Sequence, residues 1–211
     1  GSPMRTIRTI KSGSKEKEEY YTNDESLKKD EYYSEAEMES AEHKVTTAQW
    51  MGPKAASLGL TGDVEQAKFK QLFYGYLPGT SQRIRGDRKH GQENLAVDCT
   101  LSAPKSFSMH ALTDLRLYDV HMEACRRTQA ELDQRYGFQR KFIDGKQVNV
   151  MGDGLIVAAI PHWTSREDDM MLHTHLVIFN GVQGPDGKWR AFDDRQFSYA
   201  EWAGSFYRNE L

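Results

Sequence analysis

Two neighbouring stretches constrain the fold of this chain more than any others. Leu155 to Ile160 reads Leu-Ile-Val-Ala-Ala-Ile, an unbroken apolar run of the length and kind expected of a strand buried on both faces. Leu172 to Phe179 reads as a second strand, and the polar stretch Thr164 to Asp169 is expected to be the loop that joins the two as a hairpin. A third strand announces itself by alternation. From Leu95 to Ser102, Leu95, Val97, Cys99 and Leu101 share one face, and Ala96, Asp98, Thr100 and Ser102 the other. Met4 to Ile10 carries β-branched residues and suits a short strand, and Gly184-Pro185-Asp186-Gly187 turns the chain before Trp189 to Phe192.

Between these strands the apolar period changes. Ala48, Met51, Ala55 and Leu58 recur at helical spacing, with Gly59 as a C-terminal cap. Val64, Phe69, Leu72, Phe73 and Tyr76 form a second stripe ended by Pro78-Gly79. Leu115, Tyr118, Met122, Cys125, Leu132 and Tyr136 keep one face of a long helix apolar, and Tyr199 to Leu211 is helical to the end of the sequence. The pattern predicts an α+β fold, an antiparallel sheet covered by helices on one side.

A chain of 211 residues suffices for one domain, here residues 4–211, with Gly1-Ser2-Pro3 expected to be an expression scar. No signal peptide or bilayer-length apolar run is visible, and Cys99 and Cys125 sit in apolar patterns, which predicts a soluble, cytoplasmic protein with reduced cysteines. The net charge of −3 argues mildly against a nucleic-acid partner. The negative charge is concentrated between Glu16 and Glu42, while Arg83, Arg85, Arg88 and Lys89 form a basic run, read as a solvated loop with DNA contact as the functional alternative.

The chemistry lies in the histidines. His173 and His175 are two apart on a strand and so emerge on one face. His162 ends the preceding strand, and hairpin pairing brings it opposite them. Three imidazoles around one point make a metal site with open positions for substrate, and neutral ligands leave the full +2 charge to polarise a phosphate. One divalent ion is expected: manganese, magnesium, zinc, cobalt or nickel, of which the borderline ions suit nitrogen donors better than magnesium. Asp98, on the polar face of its strand, is by pattern alone an exposed carboxylate; it is also placed to accept the second ring N–H of a ligand histidine. The other histidines, at 43, 90, 110 and 121, need no function. Tyr20-Tyr21 and Tyr32-Tyr33 are two doublets in polar surroundings. A tyrosine becomes a nucleophile toward a phosphodiester once its phenol, with a free pKa of about 10, is activated.

These residues together resemble a family. His162-Trp-Thr-Ser-Arg, followed by Leu172-His-Thr-His-Leu-Val-Ile-Phe-Asn180, is similar to the three-histidine motif of the MobF-type conjugative relaxases, the TrwC/TraI-like group of the HUH endonucleases. Asp98-Cys-Thr-Leu-Ser-Ala-Pro-Lys-Ser106, Leu58-Gly-Leu-Thr-Gly62, the tyrosine doublets and Trp189-Arg190-Ala191 fit the same family. The resemblance implies a five-stranded antiparallel sheet flanked by helices, a circular permutation of the Rep-type palm. It implies site- and strand-specific nicking and joining of single-stranded DNA at the origin of transfer in plasmid conjugation. Tyr20 would form a 5′-phosphotyrosyl bond beside its neighbour Tyr21, and Tyr32 or Tyr33 would serve a second strand transfer. His162, His173 and His175 would hold the metal, and Asp98 would orient one of them. Partners implied are single-stranded DNA at the origin of transfer and, in a longer protein, other relaxosome and conjugative secretion proteins. The resemblance also implies that the relaxase domain is truncated at its C-terminus, since the family continues from there into a segment that closes over bound DNA.

Three alternatives compete. A rolling-circle replication initiator or transposase uses the same motif but places its tyrosine after the histidines. A cupin-like metal enzyme wants a glutamate shortly after His-x-His, and Leu176 to Asn180 offers none. A DNA-binding module without catalysis is the third.

Overall fold

The computed structural model describes residues 5–28, 47–87, 91–166 and 169–211. Strand β1 (Ile7–Lys11) leads into helix α1 (Lys15–Thr22) and a 3-10 turn, Glu25–Leu27. Strand β2 (Gln49–Met51), helices α2 (Pro53–Ser57) and α3 (Gln66–Phe73) and strand β3 (Asn94–Ser102) follow. Helices α4 (Lys105–Ala111) and α5 (Leu115–Tyr136) precede the hairpin of β4 (Phe138–Ile143) and β5 (Lys146–Met151). Then come β6 (Val157–Arg166), β7 (Asp169–Phe179), the short pair β8 (Val182–Gln183) and β9 (Trp189–Arg190), a 3-10 segment Asp194–Tyr199, and helix α6 (Trp202–Asn209).

The main sheet has the order β1-β3-β7-β6-β2, with every pairing antiparallel. Its three middle strands are the ones the sequence announces most clearly. Both faces of the sheet are buried, and each carries its own apolar cluster. On one side Val97, Cys99, Leu101, Leu176 and Ile178 pack with Tyr118, Met122, Cys125 and Leu132 of α5 and Tyr207 of α6. On the other Ile10, Ala96, Ile160, Val177 and Phe179 pack with Tyr21, Leu27 and the α3 residues Phe69, Leu72 and Phe73. The expectation of helices on one side is therefore corrected to both. Every even residue of β3 looks polar or small, yet that face is roofed by α1 and α3. Burying each of the phenylalanines contributes about 1.5–3 kcal/mol of hydrophobic stabilisation.

Four further expectations change. Ala48 to Met51 is an edge strand and not the start of a helix: Gln49, Trp50 and Met51 pair with Ala159, Ala158 and Val157. Gly52 at φ 95 ends that strand, and Pro53 opens the helix that follows. The strict alternation of β3 fails at Leu95, because β1 pairs Ile10 with Ala96 and Lys11 with Asn94, leaving Leu95 as a bulge that packs on the α3 side. The hairpin loop is shorter than expected, since β6 runs through Arg166 and β7 begins at Asp169. In the basic run, Arg85 is buried rather than solvated: its Nε donates to Glu93 at 2.6 Å, and its guanidinium also donates to the carbonyls of Asn180 and Phe73. Arg88 and Lys89 lie outside the described residues. The free thiols of Cys99 and Cys125 are buried, and among the described residues no helix is long and apolar enough to cross a membrane.

Candidate functional site

The register of the central strands assembles the site. β6 pairs with β7 so that His162 lies directly opposite His173 and Ile160 opposite His175. β3 pairs with β7 so that Thr100 lies opposite His175. Strand alternation then sends His162, His173 and His175 to the same face, that of α1 and α3. One nitrogen from each ring lies within 4.8 Å of the others, and the ring centroids are 4.8–5.2 Å apart. His173 and His175 are buried, and His162 is partly exposed. Among the described residues this is the one cluster of metal-ligating groups with such spacing. Three converging imidazole nitrogens, partly open to solvent at the His162 side, fit a borderline divalent ion with positions left for an oxygen ligand.

Burial, followed by the proximity of His175 and His162, pushes the pKa of His173 down to about 4. It is therefore neutral and ready to ligate at physiological pH.

Asp98 is 2 % exposed, which corrects the reading of an exposed carboxylate. Its Oδ2 lies 2.8 Å from His175 Nδ1 and accepts the Tyr21 hydroxyl at 2.6 Å, and its Oδ1 accepts from Thr100 Oγ1 at 2.9 Å. Burial alone would raise its pKa, but the bonds from His175, Tyr21 and Thr100 outweigh burial and hold it below the usual carboxylate value. Asp98 thus remains ionised inside the protein and fixes the ring of His175.

The two tyrosines of the first doublet occupy different worlds. Helix α1 is polar overall. Ser14 caps its first turn by accepting from Lys17 N, and Glu16 and Glu18 favour the positive end of its dipole. Its inward face turns Tyr21 into the core at 4 % exposure, committed to Asp98. Tyr20 is 51 % exposed, and its hydroxyl lies 3.4 Å from His175 Nε2. Burial first, then the charges of Asp98 and Asp24, raises the pKa of Tyr20, so its phenol is protonated near neutral pH. Both rings border a cleft of about 660 Å³ that Arg8, Lys11, Lys17 and Gln92 also line. Tyr32 and Tyr33 lie outside the described residues.

Two neighbours of the site escaped sequence reasoning. Thr100 bridges Asp98 and His175, its Oγ1 3.1 Å from His175 Nδ1. The alternation put it on the right face, but as one of three polar candidates. Asp24 pairs with His162 Nε2 from 138 residues away, in a segment that offered no periodicity to follow. Burial would raise the Asp24 pKa, but the bond and charge of His162 hold it below the usual value. On the opposite face His121, dismissed above, is fully buried between Thr174 Oγ1 at 2.6 Å and Tyr207 Oη at 2.5 Å.

Comparison with known proteins finds relatives along almost the whole chain. The family model described as TrwC relaxase matches residues 14–211. The multifunctional conjugation protein TraI of Escherichia coli (strain K12) is 30% identical over 194 residues, covering 91% of this chain and 10% of the relative. A second Escherichia coli protein of that name is 34% identical over 173 residues, 81% of this chain and 9% of the relative. The chain thus spans about a tenth of the length of these relatives. Among solved structures, the conjugative relaxase TrwC in complex with oriT DNA, in its metal-bound form, superposes with a TM-score of 0.79 at 30% identity. That match covers 98% of this chain and 68% of the other.

Proposed function

Since the chain belongs to the TrwC relaxase family, we propose that it nicks and rejoins one strand of single-stranded DNA at an origin of transfer, by transesterification onto Tyr20. The observation that carries the reading is the meeting of an exposed tyrosine hydroxyl with a three-histidine cluster, Tyr20 Oη being 3.4 Å from His175 Nε2. The fold is shared with TrwC, whose oriT DNA complex has a metal-bound form. Among the described residues, Tyr199 and Tyr207 follow the histidines, and Tyr207 is bonded to His121 on the opposite face of the sheet. The order in which Tyr20 comes first favours a relaxase over a replication initiator or transposase.

The chemistry divides among the residues. Tyr20 attacks the scissile phosphorus. The bond to the 3′-oxygen breaks, that oxygen leaves with a proton as a free hydroxyl, and the 5′-phosphate remains joined to the tyrosine. Rejoining is the same exchange run backwards by a 3′-hydroxyl. A protonated phenol is a weak nucleophile, and burial, followed by the charges of Asp98 and Asp24, opposes its ionisation. His162, His173 and His175 would hold one divalent ion, which would supply the compensating positive charge and polarise the phosphate. Asp98 orients His175, and Tyr21, occupied with Asp98, positions α1 instead of attacking. Arg8, Lys11 and Lys17 give the adjoining cleft the cationic lining a phosphate backbone requires. Tyr32 or Tyr33 would serve a second strand transfer. The work falls to the bacterial cytoplasm, with other relaxosome and conjugative secretion proteins as partners and residues 4–211 as part of a longer relaxase.

The test uses a random-sequence library of single-stranded oligonucleotides with Mn²⁺, labelled at the 3′ or the 5′ end. A 3′-labelled band that migrates with the protein through a denaturing gel, absent with EDTA, is the expected result. Shortened 5′-labelled products ending in a free hydroxyl should accompany it. DNA retained only under native conditions would leave a binding module without catalysis.

A further inference from the structure

We infer that Asp24 is a positioning residue that latches the Tyr20-bearing segment to the histidine cluster, so that metal binding and docking of that segment are coupled. The inference rests on reading the three histidines as metal ligands.

Asp24 stands four residues beyond Tyr20, between α1 and the 3-10 turn. One carboxylate performs two tasks there. Its Oδ1 accepts the backbone N–H of Ser26 at 2.9 Å and so caps the turn, while its Oδ2 meets Nε2 of His162. The Asp24 side chain is 11% exposed, so water screens the pair little. Its own backbone N–H donates to the Tyr21 carbonyl, which ties its placement to the end of α1.

Elsewhere the segment is held by the burial of Leu27 and by Gln66 of α3, whose Nε2 donates to the carbonyl of Thr22 at 2.8 Å. Of the α1 residues only Tyr21 and Thr22 are buried, and Tyr20 is half exposed. Besides the 3.4 Å approach of Tyr20 Oη to His175 Nε2, two polar tethers cross from it to the sheet, and they run in opposite senses. Tyr21 reaches from the helix to Asp98, which holds His175. Asp24 reaches from the segment to His162 itself. Tyr20 immediately precedes the first tether in sequence, and its ring meets those of both His162 and His175, at centroid distances of 6.2 and 5.9 Å. A carboxylate on a ligating histidine fixes the ring and strengthens its donation, and loss of such a partner typically weakens metal binding 10–100-fold. Here the carboxylate rides on the nucleophile's own segment. Whatever orders His162 therefore also orders Tyr20, and the reverse.

Asp24→Asn separates the latch from the cap, because the amide retains an acceptor for Ser26 N but loses the negative charge on His162. Calorimetric titration with Co²⁺ and hydrogen exchange of residues 15–27, with and without Co²⁺, read the two halves of the coupling. Wild type should show slower exchange in 15–27 on adding Co²⁺. Asp24→Asn should bind Co²⁺ about 10–100-fold more weakly and lose most of that metal-dependent protection even at saturating Co²⁺, with exchange in α5 unchanged. Wild-type Co²⁺ affinity together with full metal-dependent protection of 15–27 in Asp24→Asn would overturn the latch. His175→Ala serves as the control: if it also bound Co²⁺ normally, the histidine reading itself would fall, and the latch with it.

Discussion

Oδ2 of Asp98 lies 2.8 Å from Nδ1 of His175, and the same oxygen accepts the hydroxyl of Tyr21. A single buried carboxylate thus orients His175 and anchors the helix that carries Tyr20. Asp98→Asn removes the charge from both. The variant is expected to bind Mn²⁺ or Co²⁺ roughly 10–100-fold more weakly and to form covalent adduct more slowly at subsaturating metal. Isothermal titration across metal concentrations checks this, and unchanged affinity would remove Asp98 from the site.

The doublet should divide cleanly on substitution. Tyr20→Phe keeps the ring and loses the attacking oxygen, so affinity for single-stranded DNA should persist while adduct formation stops. Tyr21→Phe instead withdraws a hydrogen bond from a buried charge, which costs stability by about 2 kcal/mol and leaves adduct formation in place. Urea unfolding and an adduct assay on the two variants would expose a reversal of these roles.

Much of the site was legible because its cause is local. Two residues apart on a strand means one face, and a hairpin brings the strand before it alongside, so His162, His173 and His175 could be grouped before any coordinates. The observed register, His162 opposite His173, realises that geometry. Asp98 was placed on the right face but read as exposed, because nothing in its strand reveals the α1 roof. Helix α1 itself is so polar that it shows no apolar stripe; burial of Tyr21 and the Asp98 bond hold it. The β4–β5 hairpin passed unread for a related reason: Phe142, Ile143 and Val148 are exposed, so no alternation marks a buried face. Ala48, Met51, Ala55 and Leu58 fell on helical spacing by coincidence, across a strand and a helix divided at Gly52.

His121 should make the protein acid-sensitive. Burial, and then His173, lowers its pKa from the ordinary 6.5 to about 3. Between those values the unfolded ring takes a proton that the folded ring refuses. The unfolded state thus binds more protons, and stability falls as pH falls through this window. Its share of the slope approaches about 1.4 kcal/mol per pH unit. His173, displaced in the same direction, adds to the fall. Urea unfolding in EDTA from pH 7 to pH 4 should therefore show a shallower decline in His121→Gln than in wild type. Parallel declines would contradict the buried neutral imidazole.

The central claim is that Tyr20 is the residue that becomes joined to DNA. Wild-type protein can be trapped with the random single-stranded library and Mn²⁺, digested with nuclease and protease, and sequenced by tandem mass spectrometry. The account predicts a nucleotide remnant on Tyr20, linked through a 5′-phosphate and absent from EDTA-treated samples. A remnant on Tyr21, Tyr32 or Tyr33 while Tyr20 remained unmodified would contradict it.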